Sequence, residues 1–262
     1  MKFCSLSSGS SGNSIYIETK KSRFLIDSGL SGKRVGKLLS EIDVSASELD
    51  FILVTHEHSD HVQGVGVLSR RYDLPIIANE RTWLAMDQKI GKIDQKNIVV
   101  FKSDTDIELR DVDIHPMRIY HDSVEAVGYV IESSKKKLSV LTDTGFVSEE
   151  MISKMMGSDL FFIESNHDPN MLQNGSYSEY LKKRVRGIRG HLSNYECSKI
   201  LGELLTGMGE KVFLGHLSNE NNLPILAYKT VSDYLTGIGM DIKKDLILEV
   251  AARYGRSSFV EL

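Results

Sequence analysis

The stretch Thr55-His56-Glu57-His58-Ser59-Asp60-His61 decides the fold class, because three histidines and one aspartate fall close together within it. It follows the apolar run Phe51-Ile52-Leu53-Val54, which predicts a strand, and precedes a segment with helical spacing. On a continuous helix His56, His58 and Asp60 would point to different faces, whereas a turn that leaves a strand can aim them at one point. Imidazole and carboxylate ligands without thiolates suit zinc, manganese or iron, so the stretch predicts a loop that holds metal.

Four more ligand-type side chains share one placement, since each follows an apolar run: Asp27, His121, Asp143 and His216. Strand ends are where α/β proteins usually gather functional groups, so these side chains are expected to converge on one crevice. Taken singly, the aspartates also suit turns and the histidines also suit sheet edges. The shared placement beside the histidine-rich stretch favours the metal interpretation.

Short apolar runs alternate with helical segments along the chain, which predicts an α/β fold. The predicted strands are FLID at 24–27, FILVT at 51–55, PIIA at 75–78, IVVF at 98–101, VGYVI at 127–131, LSVLTD at 138–143, LFFIE at 160–164 and KVFLG at 211–215. The predicted helices are Val62–Tyr72, Thr82–Ile90, Ser148–Met156, Asn194–Leu205 and Ile225–Thr236, with Ser148, Asn194 and Asn222 as caps.

Composition narrows the function classes. The length of 262 residues and the lack of a linker predict one domain, 1–262. The net charge of -4 argues against general adhesion to nucleic acid, so any polyanion contact must be local. Cys4 and Cys197 are far apart and are expected to be reduced thiols. No apolar run approaches the roughly 20 residues that span a bilayer, and a cytoplasmic protein without a membrane partner is expected.

Two short sequence motifs each occur twice in the chain. Leu25–Gly29 (LIDSG) resembles Leu141–Gly145 (LTDTG), and GHLSN is found at both Gly190–Asn194 and Gly215–Asn219. The repeated motifs favour a domain of two similar halves whose corresponding strand ends face one site. Chance reuse of short sequences is the alternative.

The stretch Thr55–His61 resembles the T-H-x-H-x-D-H signature of the metallo-β-lactamase superfamily. Asp27, His121, Asp143 and His216 fall in the order of the remaining motifs of that family. Within the family, ESNHD at Glu164–Asp168 and the two GHLSN segments resemble the YycJ/WalJ group of bacterial exonuclease-like proteins.

The resemblance implies a four-layer αββα sandwich with two divalent metal ions, Zn or Mn with Fe as an alternative, at one edge of the paired sheets. The implied ligands are His56, His58 and His121 for one metal, Asp60, His61 and His216 for the second, and Asp143 for both. Asp27 matches a motif that supports the metal loop from behind the ligands. Two such metals would share a hydroxide as the nucleophile, which Asp60 could also orient.

His191 is the candidate proton donor for the leaving group, because Gly190–Ser193 resembles the His-Ser/Thr element of tRNA-processing relatives. Ser193 and the first amides of the following helix could cradle phosphate. Asn166 and His167 follow a strand end and could line the substrate cleft. A helix-capping neighbour is the alternative role for His191.

One dense basic stretch lies just upstream of His191: Lys182, Lys183, Arg184, Arg186 and Arg189. It is predicted to hold a polyanion backbone, chiefly through Arg186 and Arg189, although a solvated helix face would carry the same charges.

The resulting hypothesis is a metal-dependent phosphodiesterase or nuclease, expected to be an exonuclease on DNA and as an alternative on RNA. About 70 residues separate Asp143 from His216, too few for an inserted clamping domain. A single-stranded or free-ended nucleic acid is therefore the expected substrate. A thioester, lactam or lactone hydrolase would share the metal loop, and a non-catalytic regulatory scaffold is the third alternative.

Overall fold

The computed structural model describes residues 1–262, and its strands form two mixed sheets of seven strands each. The first sheet contains β1 (Lys2–Ser7), β2 (Ser14–Glu18), β3 (Arg23–Ile26), β4 (Phe51–Leu53), β5 (Ile76–Asn79), β6 (Ile98–Phe101) and β14 (Val260–Glu261). The second contains β7 (Ile107–Leu109), β8 (Val112–Arg118), β9 (Val127–Ser133), β10 (Lys136–Leu141), β11 (Leu160–Glu164), β12 (Glu210–Gly215) and β13 (Leu246–Val250).

Helices connect the strands and cover the sheets. They are α1 (Gly32–Ser40), α2 (Ser59–Val62), α3 (Val65–Tyr72), α4 (Glu80–Ile90), α5 (Glu149–Met155), α6 (Pro169–Asn174), α7 (Glu179–Val185), α8 (Asn194–Leu204) and α9 (Pro224–Gly237). None of them combines the length and the apolar character needed to cross a bilayer.

The two sheets repeat one pairing pattern. In the first, β1, β2 and β3 pair antiparallel and β3 to β6 continue in parallel. In the second, β8, β9 and β10 pair antiparallel and β10 to β13 continue in parallel. β3 therefore corresponds to β10, which are the strands that lead into LIDSG and LTDTG. This correspondence supports the interpretation of two similar halves.

The core is divided into three layers of apolar side chains, which gives the four-layer αββα sandwich that the family resemblance implied. Residues from both sheets, such as Phe3, Phe24, Tyr129 and Phe213, pack in the layer between them. A second layer joins the outer face of the first sheet to α1, α3 and α4. A third joins the second sheet to α5, α8 and α9. The sheets are held face to face by apolar burial, which stabilises by about 25 cal/mol per Å².

The predicted strands and most predicted helices are confirmed, with three corrections. The predicted helix Val62–Tyr72 begins at Val65, because the amide of Gly64 donates to the carbonyl of Ser28 at 2.7 Å instead of to the preceding helical turn. Ser148 caps α5 as predicted.

Two predicted caps are wrong. Ser193, and not Asn194, caps α8, because its Oγ accepts from the amide of Glu196. Asn222 precedes α9, but Leu223 is the residue at the N-cap position, and no side chain caps that end. Asn194 and Asn222 instead form a buried pair. Asn194 Nδ2 donates to Asn222 Oδ1 at 3.0 Å, and Asn222 Nδ2 donates to Asn194 Oδ1 at 2.8 Å. Both amides are thereby satisfied beneath the loops of the site.

Candidate metal centre

The stretch Thr55–His61 leaves β4 and turns into α2, as the residue types predicted. His56 and His61 are fully buried, whereas His58 and Asp60 are partly exposed. The His56 and His61 rings lie 4.0 Å apart between centroids. The turn therefore aims its side chains at one point, which a continuous helix would not do.

A first cluster joins this turn to the end of β8. His58 Nδ1 lies 3.2 Å from His56 Nε2 and 3.3 Å from His121 Nε2. These three nitrogens can serve as ligands of one ion. The two sheets meet here, because His56 and His58 follow a strand of the first sheet and His121 follows a strand of the second.

A second cluster contains Asp60, His61 and His216. Asp60 Oδ2 lies 3.7 Å from His61 Nε2 and 4.0 Å from His216 Nε2. Asp143 lies between the two clusters. Its oxygens are 3.3 Å from His61 Nε2, 3.3 Å from His216 Nε2 and 3.9 Å from His121 Nε2.

The donor set fits a divalent cation. Asp143 Oδ2 and His216 Nε2 are buried and have no hydrogen-bond partner. Buried polar atoms are nearly always paired, and an unpaired one is costly. Imidazole nitrogens and carboxylate oxygens facing one point are the ligands that divalent transition metals prefer. The fold and these clusters together imply divalent metal binding.

Asp27 supports the turn from behind. Its Oδ1 accepts from the amide of Thr55 at 2.8 Å, and its Oδ2 accepts from Thr55 Oγ1 and His61 Nδ1 at 2.7 Å each. Burial disfavours the charged ring of His61, but the carboxylates of Asp27 and Asp143 outweigh burial and raise its pKa to about 9. The Asp27 contact fixes which nitrogen of His61 faces the cluster.

Glu164, at the end of β11, was not predicted to act in the site. Its Oε1 accepts from His191 Nδ1 at 2.8 Å and from His216 Nδ1 at 2.7 Å, and its Oε2 accepts from the amides of Thr144 and Leu192. Burial raises the pKa of Glu164, but His191 and His216 outweigh it and hold the pKa below its usual range. One buried carboxylate therefore orients both GHLSN histidines. The available signal was its strand-end placement, which it shares with Asp27 and Asp143.

His191 lies beside the clusters, with its ring 5.3 Å from the rings of His121 and His216. Burial lowers its pKa, but the charge and hydrogen bond of Glu164 raise it above the usual value. Its side chain is 21% exposed. Because Nδ1 is bonded to Glu164, Nε2 is the ring atom left for a ligand in the cleft.

A cavity of about 250 Å³ opens onto this centre and is lined by Asp60, His121, Asp143, His191 and His216 among others. Asn166 also lines it and donates to the carbonyl of His216 at 2.9 Å. The other candidate substrate residues lie elsewhere. His167 is buried outside the cavity, where burial lowers its pKa to about 4. The hydroxyl and amide of Ser193 both donate to Glu196 in a capping box.

The basic stretch braces the walls of the site. Arg184 donates to Asp122 at 2.5 Å, and Arg189 donates to the carbonyl of His121 at 2.9 Å. Arg186 donates to the side chain of Gln173 at 2.8 Å. Arg186 and Arg189 are exposed and have no carboxylate partner, so their charges remain open to a polyanion.

Comparisons with known proteins agree on one family. The model of the beta-lactamase superfamily domain matches residues 22–216. The chain is 42% identical to the exodeoxyribonuclease WalJ of Streptococcus pneumoniae and 37% identical to the exodeoxyribonuclease YycJ of Bacillus anthracis. Each alignment covers 92% of this chain and 92% of the relative. The metallo-beta-lactamase fold protein YhfI of Bacillus subtilis superposes with a TM-score of 0.72 at 15% identity, over 98% of each chain.

Proposed function

The chain belongs to the metallo-β-lactamase superfamily, and from this premise we propose that it is a metal-dependent DNA exonuclease. The observation that carries the proposal is the set of seven ligand-type side chains, joined by the Glu164–His191 pair, in a chain similar over nearly its whole length to exodeoxyribonucleases.

The proposed enzyme holds two divalent metal ions, zinc or manganese, with iron as an alternative. His56, His58 and His121 would hold one ion, and Asp60, His61 and His216 would hold the other. Asp143, which lies near His61, His121 and His216, would contribute to both. When bound, the metals supply charge that activates water and stabilises the developing phosphorane.

The protein's own groups complete the reaction. Asp60 lines the cleft and can accept a hydrogen bond from the attacking water, which orients it toward phosphorus. His191 donates its Nε2 proton to the oxygen of the leaving nucleotide, while Glu164 on Nδ1 holds the ring in place. Cleavage of the P–O bond then releases a neutral hydroxyl.

The substrate is proposed to be a single strand or a free end of DNA. The cleft is open at one side, and no domain lies between β10 and β12 that could enclose a long duplex. Arg184 lines the cleft, and the exposed Arg186 and Arg189 follow it within five positions and carry the open positive charge that a phosphate backbone needs.

The test is turnover of end-labelled single- and double-stranded DNA and RNA with Mn²⁺ or Zn²⁺, comparing the wild type with Asp60→Ala and His191→Ala. A ladder of shortened DNA that both variants lose supports the proposal, and its direction gives the polarity. Closed circular DNA should resist degradation. A fully metallated wild type that degrades no nucleic acid would direct the search to thioesters and lactams, and equal degradation of circular and linear DNA would exclude an exonuclease.

A further inference from the structure

One wall of the cavity that opens onto the metal centre is mainly apolar. Tyr177, Leu181, Arg184 and Val185 line this cavity together with the ligand-type side chains. Leu181 is three positions from Arg184 and four from Val185 on α7, so the three share one face of that helix. Tyr177 lies just before the helix and adds an aromatic ring to the same wall. The cavity therefore combines the imidazoles and carboxylates of the metal centre with apolar surface from α7.

The loop that carries Tyr177 is fixed between α6 and α7. The carbonyl of Gln173 accepts from Lys182 Nζ at 2.8 Å, and the side-chain oxygen of Gln173 accepts from Arg186 at 2.8 Å. Ser178, the next residue after Tyr177, caps the first turn of α7. The backbone of Tyr177 is thus held in place, while its side chain is partly exposed at the cavity. A fixed and partly exposed ring is suited to stacking on a ligand.

Asn221 lines the same cavity and carries an unused amide. It follows His216 by five positions and is 1% exposed. Its side-chain oxygen and nitrogen are both buried, and neither has a hydrogen-bond partner in the protein. Buried amides are nearly always paired, so the amide of Asn221 is left for a ligand or for water in the cavity.

Asn221 lies close to the loop that carries Tyr177. A Cβ built on Gly175 would lie 2.7 Å from Asn221 Oδ1, so the backbone of this loop packs directly against the amide. Gly175 precedes Tyr177 by two positions. An aromatic ring and an unpaired amide that lie close together offer stacking and hydrogen bonding, which are the two contacts that an unpaired nucleobase makes with proteins.

We propose that Tyr177 and Asn221 bind the base of the nucleotide that is released, with Tyr177 stacked on the face of the base and Asn221 hydrogen-bonded to its edge. The scissile phosphate then lies over the metal centre in the same cavity. This inference rests on the proposed function and deepens it, because it names the base as a recognised group beside the phosphate. A side-chain amide can present either its donor or its acceptor, so all four bases are accepted. A base must leave its partner strand to reach the ring, so an unpaired end is preferred.

The test is fluorescence anisotropy of the metallated protein with short single-stranded oligonucleotides whose phosphorothioate linkages resist cleavage. One oligonucleotide is intact, and the other lacks the base at the end from which the wild type degrades DNA. The wild type should bind the abasic oligonucleotide at least about fivefold more weakly, the lower end of what one stacked base contributes. Tyr177→Ala should weaken binding of the intact oligonucleotide about fivefold and leave binding of the abasic one unchanged, because both changes remove the same contact.

Two further variants separate stacking from an effect on the fold. Tyr177→Phe keeps the ring and should bind both oligonucleotides as the wild type does. Tyr180→Ala is the matched control, since Tyr180 also lies on α7 but is 80% exposed and does not line the cavity. It should leave both affinities unchanged. Metal content should equal that of the wild type in all three variants.

Asn221→Ala tests the amide. Binding of the intact oligonucleotide should weaken about fivefold, the contribution of one hydrogen bond, while the melting temperature stays at the wild-type value because the amide has no protein partner. Asn222→Ala is the contrast, since Asn222 Nδ2 donates to the carbonyls of Ser165 and Asn166. Loss of these bonds should lower the melting temperature. Wild-type affinity in Asn221→Ala would exclude Asn221 from the base site.

The outcomes distinguish this inference from the proposed function. Equal affinities of the wild type for the intact and abasic oligonucleotides, in a protein that degrades DNA, overturn the base site alone. A Tyr177→Ala variant that binds both oligonucleotides equally less well than the wild type also overturns it, since the ring would then act on the fold and not on the base. A metallated wild type that degrades no nucleic acid overturns the proposed function, and the base site with it.

Discussion

Asp27 and Asp143 occupy corresponding positions in the two halves of the molecule, yet their surroundings differ. Each follows the strand of its sheet at which antiparallel pairing changes to parallel, and each adopts a left-handed backbone, with φ of 60° and 58°. Asp27 accepts three hydrogen bonds from protein groups, through both of its oxygens. Asp143 keeps a buried oxygen without a hydrogen-bond partner.

This difference shows how one turn can serve two purposes. A carboxylate that accepts from protein donors through both oxygens fixes the orientation of its neighbours. A carboxylate left open among imidazoles is available to a cation. The two identical GHLSN segments show a similar division of roles. Glu164 accepts from Nδ1 of both histidines. His216 faces Asp60 and Asp143, whereas His191 lies nearer the open cleft.

The largest expected effect is that of Asp143→Asn. The amide would put N–H groups or a neutral oxygen where an open carboxylate now meets three histidines. We expect bound metal to fall and turnover to drop by at least about 1000-fold, because metal ions contribute several kcal/mol to such reactions. Metal content and DNA turnover are the measurements. Asp159→Asn alters a carboxylate that precedes β11, at the opposite end of that strand from Glu164. This variant should change neither metal content nor turnover.

His191→Gln should lower the turnover number about 100-fold, since a positioned proton donor contributes at least that much. Metal content should stay at the wild-type level, whereas His216→Gln should lose metal. Parallel metal analysis and kinetics of the two variants distinguish the two GHLSN segments. Loss of metal in His191→Gln would show that this histidine is a ligand. His115→Gln, on β8 beside Asp106, is the control.

Asp27→Asn should weaken metal affinity about 10-fold, since removal of a group that orients ligands costs that much or more. The new amide cannot accept from every donor that Asp27 now satisfies, so the melting temperature should fall as well. Competition with a chelator measures the affinity. Asp111→Asn removes a comparable carboxylate that accepts from Thr19 and Ser22 away from the site. It should lower the melting temperature and leave metal affinity unchanged.

The smallest effect is expected at the glycines that end LIDSG and LTDTG. A Cβ on Gly29 would lie 1.7 Å from the carbonyl oxygen of Asp60, and one on Gly145 would lie 2.1 Å from that of Gly187. Each alanine variant should lose about 1–3 kcal/mol of unfolding free energy through overpacking. Only Gly29→Ala should also weaken metal binding. Denaturant titration and metal competition measure both effects, with Gly237→Ala, where the space is open, as the control.

Much of the fold and the assembly of the candidate site could be predicted from local signals. Asp27, His121, Asp143 and His216 each follow a strand, and strand ends at one edge of paired sheets are brought together by the fold itself. Residue type and order therefore sufficed to collect them.

The roles that depend on distant partners could not be predicted in the same way. Glu164 meets His191 and His216, which lie 27 and 52 residues away. Arg184 donates to Asp122, which lies 62 residues away in the sequence. The sequence therefore showed the charge of Arg184 but not its ion pair with Asp122. The break at Gly64 depends on the carbonyl of Ser28, which no local pattern reveals.

Each proposed ligand group draws side chains from both sheets, His56 and His58 with His121, and Asp60 and His61 with His216. A bound ion would therefore add a cross-link between two layers that apolar packing and a few hydrogen bonds, such as that from the amide of Val127 to the carbonyl of Thr55, already join at this edge. Ligands that bind only the native state stabilise it by mass action. Chelation should thus speed amide hydrogen exchange at the strand ends of both sheets together, and the metal centre would regulate how often the sandwich opens.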